Sequence, residues 1–191
     1  PGVNGSIEIP SSVTTISDYA FDSCSALTSV SMPSVTTIGG GAFYECVALT
    51  SVSMPSVTTI DDEAFCYCYA LTSVDIPASV TSIGINPFVG CGSLREIAVD
   101  ENNPNYTSLD GVLYDKYMET LISCPGVNGS IEIPSSVTTI SDCAFYDCFT
   151  LTSIDMPSVT TIGDGAFYGC DALTSVDMPE VTTIGDWAFH S

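Results

Sequence analysis

Positive charge is almost missing from this chain. Against 23 aspartates and glutamates stand two basic residues, Arg95 and Lys116, for a formal net charge of −21 over 191 residues. Nucleic-acid binding draws its affinity from Lys and Arg that displace counterions from phosphates, and docking on anionic lipid needs the same residues. Both partners are therefore excluded. Histidine is nearly missing too: His190 is the only one, which leaves a serine or cysteine nucleophile without its base and argues against an enzyme. No apolar run approaches the roughly 20 residues that span a bilayer, and the start, Pro1-Gly2-Val3-Asn4, has neither the basic nor the apolar part of a leader. We expect no membrane insertion by this segment and no cofactor.

What the chain has instead is repetition. The eighteen residues "PGVNGSIEIPSSVTTISD" stand at 1–18 and again, unchanged, at 125–142. Identity over that length records the copying of a larger block, so the chain reads as a piece of a longer array. A shorter period lies inside the block. The apolar residues Ile7, Val30, Val52, Val74, Ile97, Ile131, Ile154 and Val176 follow one another at 23, 22, 22, 23, 34, 23 and 22 residues. Each turn spells L-T-S-V-x-M/I-P-x-V-T-T-I-G-D-x-A-F-x-x-C-x-A with few departures.

The alternation Leu27-x-x-Val30-x-Met32 is that of a short strand with one buried face, and the prolines at 10, 33, 55, 77, 134, 157 and 179 end it. Val13-x-x-Ile16 predicts a second extended segment. The aspartates at 18, 62, 142, 164 and 186 precede Ala-Phe-x-x-Cys as N-caps would, predicting about one helical or 3₁₀ turn. A lone repeat of this size cannot cover its own apolar face. Stacking covers it, so the prediction is a repeat solenoid over 1–191, with short parallel strands and one interrupted, insert-bearing repeat at 100–125.

The string Leu27-x-x-Val30-x-Met32, a proline, Val-Thr-x-Ile-Gly and Ala-Phe-x-x-Cys resembles the BspA-like leucine-rich repeats, in seven copies marked by Phe21, Phe43, Phe65, Phe88, Phe145, Phe167 and Phe189. The stretch "NNPNYTSLDGVLYDKYMETLISCP" (102–125) looks like the hairpin-bearing insert common in that family, with Val112-Leu113-Tyr114 pairing to Thr120-Leu121-Ile122. The resemblance implies an extracellular or cell-surface protein, used in adhesion or in binding a host matrix or mucosal protein. It names no ligand. A different reading makes the turns a structural spacer that holds another domain of the parent protein away from the cell.

Cys24, Cys46, Cys68, Cys91, Cys148 and Cys170 share one repeat position. They should form a buried column about 5 Å apart with parallel Cβ vectors, which suits neither a bridge nor tetrahedral zinc. Free core thiols are expected there, and no metal. Cys66, Cys124 and Cys143 fall outside the column, and a Cys124–Cys143 contact near the insert is the alternative to weigh. Ser and Thr abound because "VTT" and "LTS" recur, and are read as solvated strand faces. Asp100-Glu101-Asn102-Asn103 offers oxygens to calcium without the spacing of a dedicated loop. Asn4, Asn105 and Asn128 head glycosylation sequons.

The acidic residues carry the functional reading. At the outward strand position successive turns have Ser31, Ser53, Asp75, Ala98, Glu132, Asp155 and Asp177, so three carboxylates adjoin in the second half. Such a column serves solubility, or it is a shallow site for a cation or a basic partner. Glu132, Asp155, Asp177 and Asp75 are the candidate binding residues on the strand face. On the insert, Tyr106, Tyr114 and Tyr117 are the candidate aromatic anchors.

Overall fold

The structure is a computed structural model that describes residues 3–126 and 129–190. Its chain divides into two compact units, Pro1–Asn105 and Tyr106–Ser191, the boundary falling inside the insert-bearing stretch. The sequon at Asn128 lies outside the described residues.

The first unit holds nine strands: β1 (Gly5–Glu8), β2 (Thr15–Ile16), β3 (Leu27–Ser31), β4 (Thr37–Ile38), β5 (Ser51–Ser53), β6 (Thr59–Ile60), β7 (Ser73–Ile76), β8 (Ser82–Ile83) and β9 (Glu96–Val99). The second holds β10 (Tyr106–Leu109), β11 (Val112–Asp115), β12 (Thr120–Ser123), β13 (Gly129–Glu132), β14 (Thr139–Ile140), β15 (Leu151–Asp155), β16 (Thr161–Ile162), β17 (Ser175–Asp177) and β18 (Thr183–Ile184). Each unit is built as a parallel β-solenoid. Its longer strands pair turn on turn in the expected register, Ile7 with Val30, Val30 with Val52, Ile131 with Ile154 and Ile154 with Val176. The two-residue strands form a second parallel sheet, β2-β4-β6-β8 in the first unit.

Period-2 alternation decides which residues enter the core. Val30 and Met32 are buried, and Ser29 and Ser31 between them stay partly exposed. Beneath them, Phe43, Phe65, Phe145 and Phe167 are fully buried, their rings stacked 5.1 Å apart from Phe21 to Phe43, 5.3 Å from Phe43 to Phe65 and 4.8 Å from Phe145 to Phe167. Stacking at this spacing adds aromatic contact to the area each ring buries.

The expected helical turn is not there. The described residues hold no α- or 3₁₀-helix, and Asp-x-Ala-Phe-x-x-Cys is a chain of turns. Two residues per repeat take positive φ, as at Tyr19 and Ser23, Gly41 and Glu45, and Cys143 and Asp147, and a left-handed residue breaks a right-handed helix. The hydrogen bonds show the gain. Ala42, Tyr44 and Cys46 donate three residues back, to Gly39, Gly41 and Phe43, while Gly41, Phe43 and Glu45 donate to Asp62, Ala64 and Cys66 of the next turn. A single helical turn would leave its first N–H groups without partners and offer none to the next turn, whereas the alternating turns satisfy both sets.

The aspartate caps are corrected in the same sense. Asp18 Oδ1 accepts from Gly40 N–H at 2.9 Å, Asp142 Oδ1 from Asp164 N–H at 2.8 Å and Asp164 Oδ1 from Asp186 N–H at 2.7 Å. Each carboxylate thus caps the following turn rather than its own. The recurring glycine makes the approach possible: a Cβ on Gly163 would lie 2.6 Å from the Asp142 backbone nitrogen.

The insert is larger than a hairpin. β11 pairs with β12 as expected, and β10 pairs on its other side to make an antiparallel three-stranded run that continues as β12-β14-β16-β18.

Candidate binding surface

Strand register builds the acidic column of the second unit. Glu132 lies beside Asp155 on β13 and β15, and Asp155 beside Asp177 on β15 and β17, all three exposed. Their inward neighbours Ile154 and Met156 are buried, so the backbone under the carboxylates is fixed by the core. Asp75 belongs to the first unit. It is exposed on β7 beside Ala98 of β9, with Ser53 one turn earlier, so no carboxylate adjoins it in the column.

The three tyrosines of the insert do not form an exposed cluster. Tyr117 is exposed at 79%, Tyr106 is half-buried, and Tyr114 is buried at 2% in the second unit's core. Tyr114 is therefore corrected from surface anchor to core residue. β11 lies between β10 and β12, and Val112, Leu113 and Tyr114 are all buried there. Burial pushes the Tyr114 phenol up to about 12.

All nine cysteines are unbridged, including Cys124 and Cys143. The column thiols have a role that sequence reasoning missed: four of the six reach back one turn to a phenylalanine carbonyl. Cys46 Sγ donates to Phe21 O at 3.1 Å, Cys68 to Phe43 O at 3.2 Å, Cys91 to Phe65 O at 3.1 Å and Cys170 to Phe145 O at 3.1 Å. Desolvation raises the thiols of Cys46, Cys91 and Cys170 to about 12, and pushes Cys68 and Cys124 up as well. Such thiols are poor nucleophiles. Cys124 stands where other turns have phenylalanine, since its N–H donates to Ala144 O at 2.8 Å as Phe21 N–H does to Ala42 O.

The threonines are likewise more than a wet face. Thr58 Oγ1 donates to Thr36 O at 3.0 Å and Thr160 Oγ1 to Thr138 O at 3.2 Å, a hydroxyl ladder along the stack.

The oxygen-rich run after β9 holds the chain to itself. Asp100 Oδ1 accepts from Asn102 N–H at 2.9 Å, and the fully buried Asn103 donates from Nδ2 to Pro77 O at 2.8 Å and Val80 O at 3.0 Å. Among the described residues no group of three or more His, Cys, Asp or Glu side chains is arranged to hold a metal ion. Asn105 Nδ2, the atom a glycan would use, donates to Thr81 O at 3.0 Å, while Asn4 is exposed.

One depression interrupts the strand surface of the first unit. It encloses about 480 Å³ and is bounded by Ser53, Met54, Pro55, Asp75, Ala98 and Asp100 among others. Of its lining, only Asp75 and Asp100 carry a signal in the sequence.

A family model described as BspA type leucine-rich repeat region matches residues 4–109 and 123–191 in six copies. Among solved structures, the chain is similar to the pneumococcal vaccine antigen PcpA, with a TM-score of 0.77 and 25% identity over 92% of this chain and 51% of that one. It is similar to a leucine-rich cell surface protein from Faecalibacterium prausnitzii, with a TM-score of 0.72 and 30% identity over 91% of this chain and 60% of that one. A leucine-rich repeat protein from Eubacterium ventriosum follows at a TM-score of 0.63 and 26% identity, over 93% of this chain and 60% of that one. The chain thus spans between about half and three fifths of these relatives. No curated protein matches it. No helix of the described residues is long and apolar enough to cross a membrane.

Proposed function

The chain belongs to the BspA-type leucine-rich repeat family, and from that premise we propose that it is a protein-binding module of an extracellular or cell-surface protein, engaged in adhesion or host-protein binding. Repeats of this class generally bind proteins. Two similar structures are those of a cell surface protein and a vaccine antigen, which supports the location.

One observation carries the reading: Glu132, Asp155 and Asp177 are held in register on a rigid strand face, exposed and adjacent. Like charges on neighbouring strands repel, and a partner bringing positive charge relieves that repulsion at little entropic cost to a sheet already fixed. The partner is a basic protein or a basic segment of one. Binding of a panel of host matrix and mucosal proteins should be stronger at about 50 mM than at about 300 mM salt, because exposed charges are screened within about 6 Å at the higher value. Replacing all three carboxylates by Ser, the residue at positions 31 and 53, should weaken it. Binding that survives the triple change places the site elsewhere, and an absence of binding across the panel favours a spacer.

A further inference from the structure

The strand ladder of the first unit opens at one place. β1 pairs with β3, β3 with β5 and β7 with β9, but β5 and β7 fall in separate sheets, although the second sheet runs unbroken through β6 and β8 of the same turns. The missing bonds have a direction. In earlier turns the carbonyl of the outward residue is taken by the turn before it: Ile9 N–H donates to Ser31 O and Met32 N–H to Ser53 O, each at 2.8 Å. Met54 makes no such bond to Asp75, so the Asp75 carbonyl lacks the main-chain donor that its equivalents have. A carbonyl without a main-chain donor is an acceptor open to a donor from outside the chain.

The 480 Å³ cleft lies at this opening. Asp75 stands in it between two small neighbours, Ser53 and Ala98, and is exposed, so its carboxylate is open to a ligand entering the cleft. Pro55, Pro77 and Val99 give the walls an apolar character, and Asp100 adds a second carboxylate. No cation of the unit neutralises the pair: its only basic residue is Arg95, whose Nη1 donates to Gly92 O and Leu94 O at 3.1 Å each. The cleft therefore offers acceptors of two kinds, a carboxylate and a carbonyl, beside an apolar wall. A ligand complementary to it is a cation with several donors in a fork on an apolar stem, which describes an arginine side chain better than a lysine ammonium. The volume suits a side chain with its flanking backbone.

We propose that the cleft at the β5–β7 opening seats an arginine side chain from an extended segment of a partner protein, with Asp75 as its counter-charge. The proposal rests on the protein-binding reading above but uses another unit and other residues, so the two fail separately.

The test is a titration of the ¹⁵N-labelled 191-residue chain with acetyl-Gly-Arg-Gly-amide, followed by amide chemical shifts. Saturable shifts confined to residues 53–55, 75–77 and 98–100 are expected. The citrulline peptide, which keeps the shape and loses the charge, should bind about tenfold more weakly or worse, the worth of one charge-assisted hydrogen-bonded contact; the lysine peptide should fall between them. Asp75→Asn should lose affinity by a similar factor, and Ala98→Leu, which puts a larger side chain into the cleft beside Asp75 and keeps every charge, should abolish the shifts. The triple change of Glu132, Asp155 and Asp177 to Ser should leave them unaltered. The spectra report whether each variant is folded, and Ala98→Leu decides alone if Asp75→Asn is not. Equal binding of the citrulline peptide, persistence of the shifts in Ala98→Leu, or an absence of saturable shifts in these segments up to about 20 mM peptide overturns the proposal. Shifts only around Glu132, Asp155 and Asp177 overturn it too, while leaving the acidic column as a binding face.

Discussion

The two units are written in the same repeat and differ at its outward strand position. The first carries Ser31, Ser53, Asp75 and Ala98 there, and its ladder opens after β5. The second carries Glu132, Asp155 and Asp177 on an unbroken β13-β15-β17 sheet. Both keep the same inward columns of aliphatic residues, stacked phenylalanines and back-bonded thiols. The fold is thus held by what points inward and by bonds each turn lends to the next. The outward position bears no such duty and is free to differ.

The largest expected effect comes from striking what the units share. A group whose pKa is raised on folding contributes fully below its unfolded value, about 8.5 for a thiol, and loses that contribution as pH climbs toward the folded value. With Cys46, Cys91 and Cys170 raised to about 12, stability should be flat up to about pH 8 and fall steeply from about 8.5 to 12, at up to about 1.4 kcal/mol per pH unit for each thiol. Urea melts across that range measure the slope. Cys46→Ala with Cys91→Ala in the first unit should flatten it more than Cys170→Ala in the second. A curve level through pH 10.5 in the parent chain would mean that water reaches the column.

A smaller effect separates adjacent glycines. A Cβ on Gly39 would come within 2.7 Å of the Asp18 backbone nitrogen, while one on Gly40 meets nothing nearer than the Asp62 carbonyl at 3.5 Å. Gly39→Ala should therefore cost about 1–3 kcal/mol, as overpacking does, and Gly40→Ala close to nothing. Gly163→Ala should repeat the larger loss in the second unit. Equal melting of the Gly39 and Gly40 variants would show that the aspartate clasp between turns is loose.

Much of this architecture is legible in the spacing of residues, because a period of 22 with strand alternation leaves one way to hide Val30, Met32 and Phe43 together. The turn departs from the helical expectation for a physical reason. A polar residue before Ala-Phe is what a local cap looks like, and nothing in one repeat says that the capped N–H belongs to the next. The corrective signal is present in the glycines: Gly41, Gly165, Gly90 and Gly169 stand where other turns force positive φ on Tyr19, Cys143, Tyr67 and Asp147. The acidic column was legible because register follows from the period. The cleft is not legible, since no residue type marks a ladder that fails to close, and the burial of Tyr114 depends on β10 pairing beside its strand, which the spacing of residues does not signal.

The smallest expected effect bears most directly on the contrast between the units. Asp155 has a carboxylate on each side, Glu132 and Asp177, whereas Asp75 has Ala98 and Ser53. Like charges directly across a sheet destabilise it by fractions of a kcal/mol, so Asp155→Asn should raise the Tm by about 1–3 °C at low salt. Asp75→Asn should leave it within about 1 °C. Added salt should erase the difference, because the three carboxylates are exposed and their repulsion is screened. If both variants shift alike, or if the gain at Asp155 persists in about 0.5 M salt, the effect is not mutual repulsion along β13-β15-β17. The column would then be no more strained than the single aspartate of the first unit, and a basic partner would have nothing to relieve there.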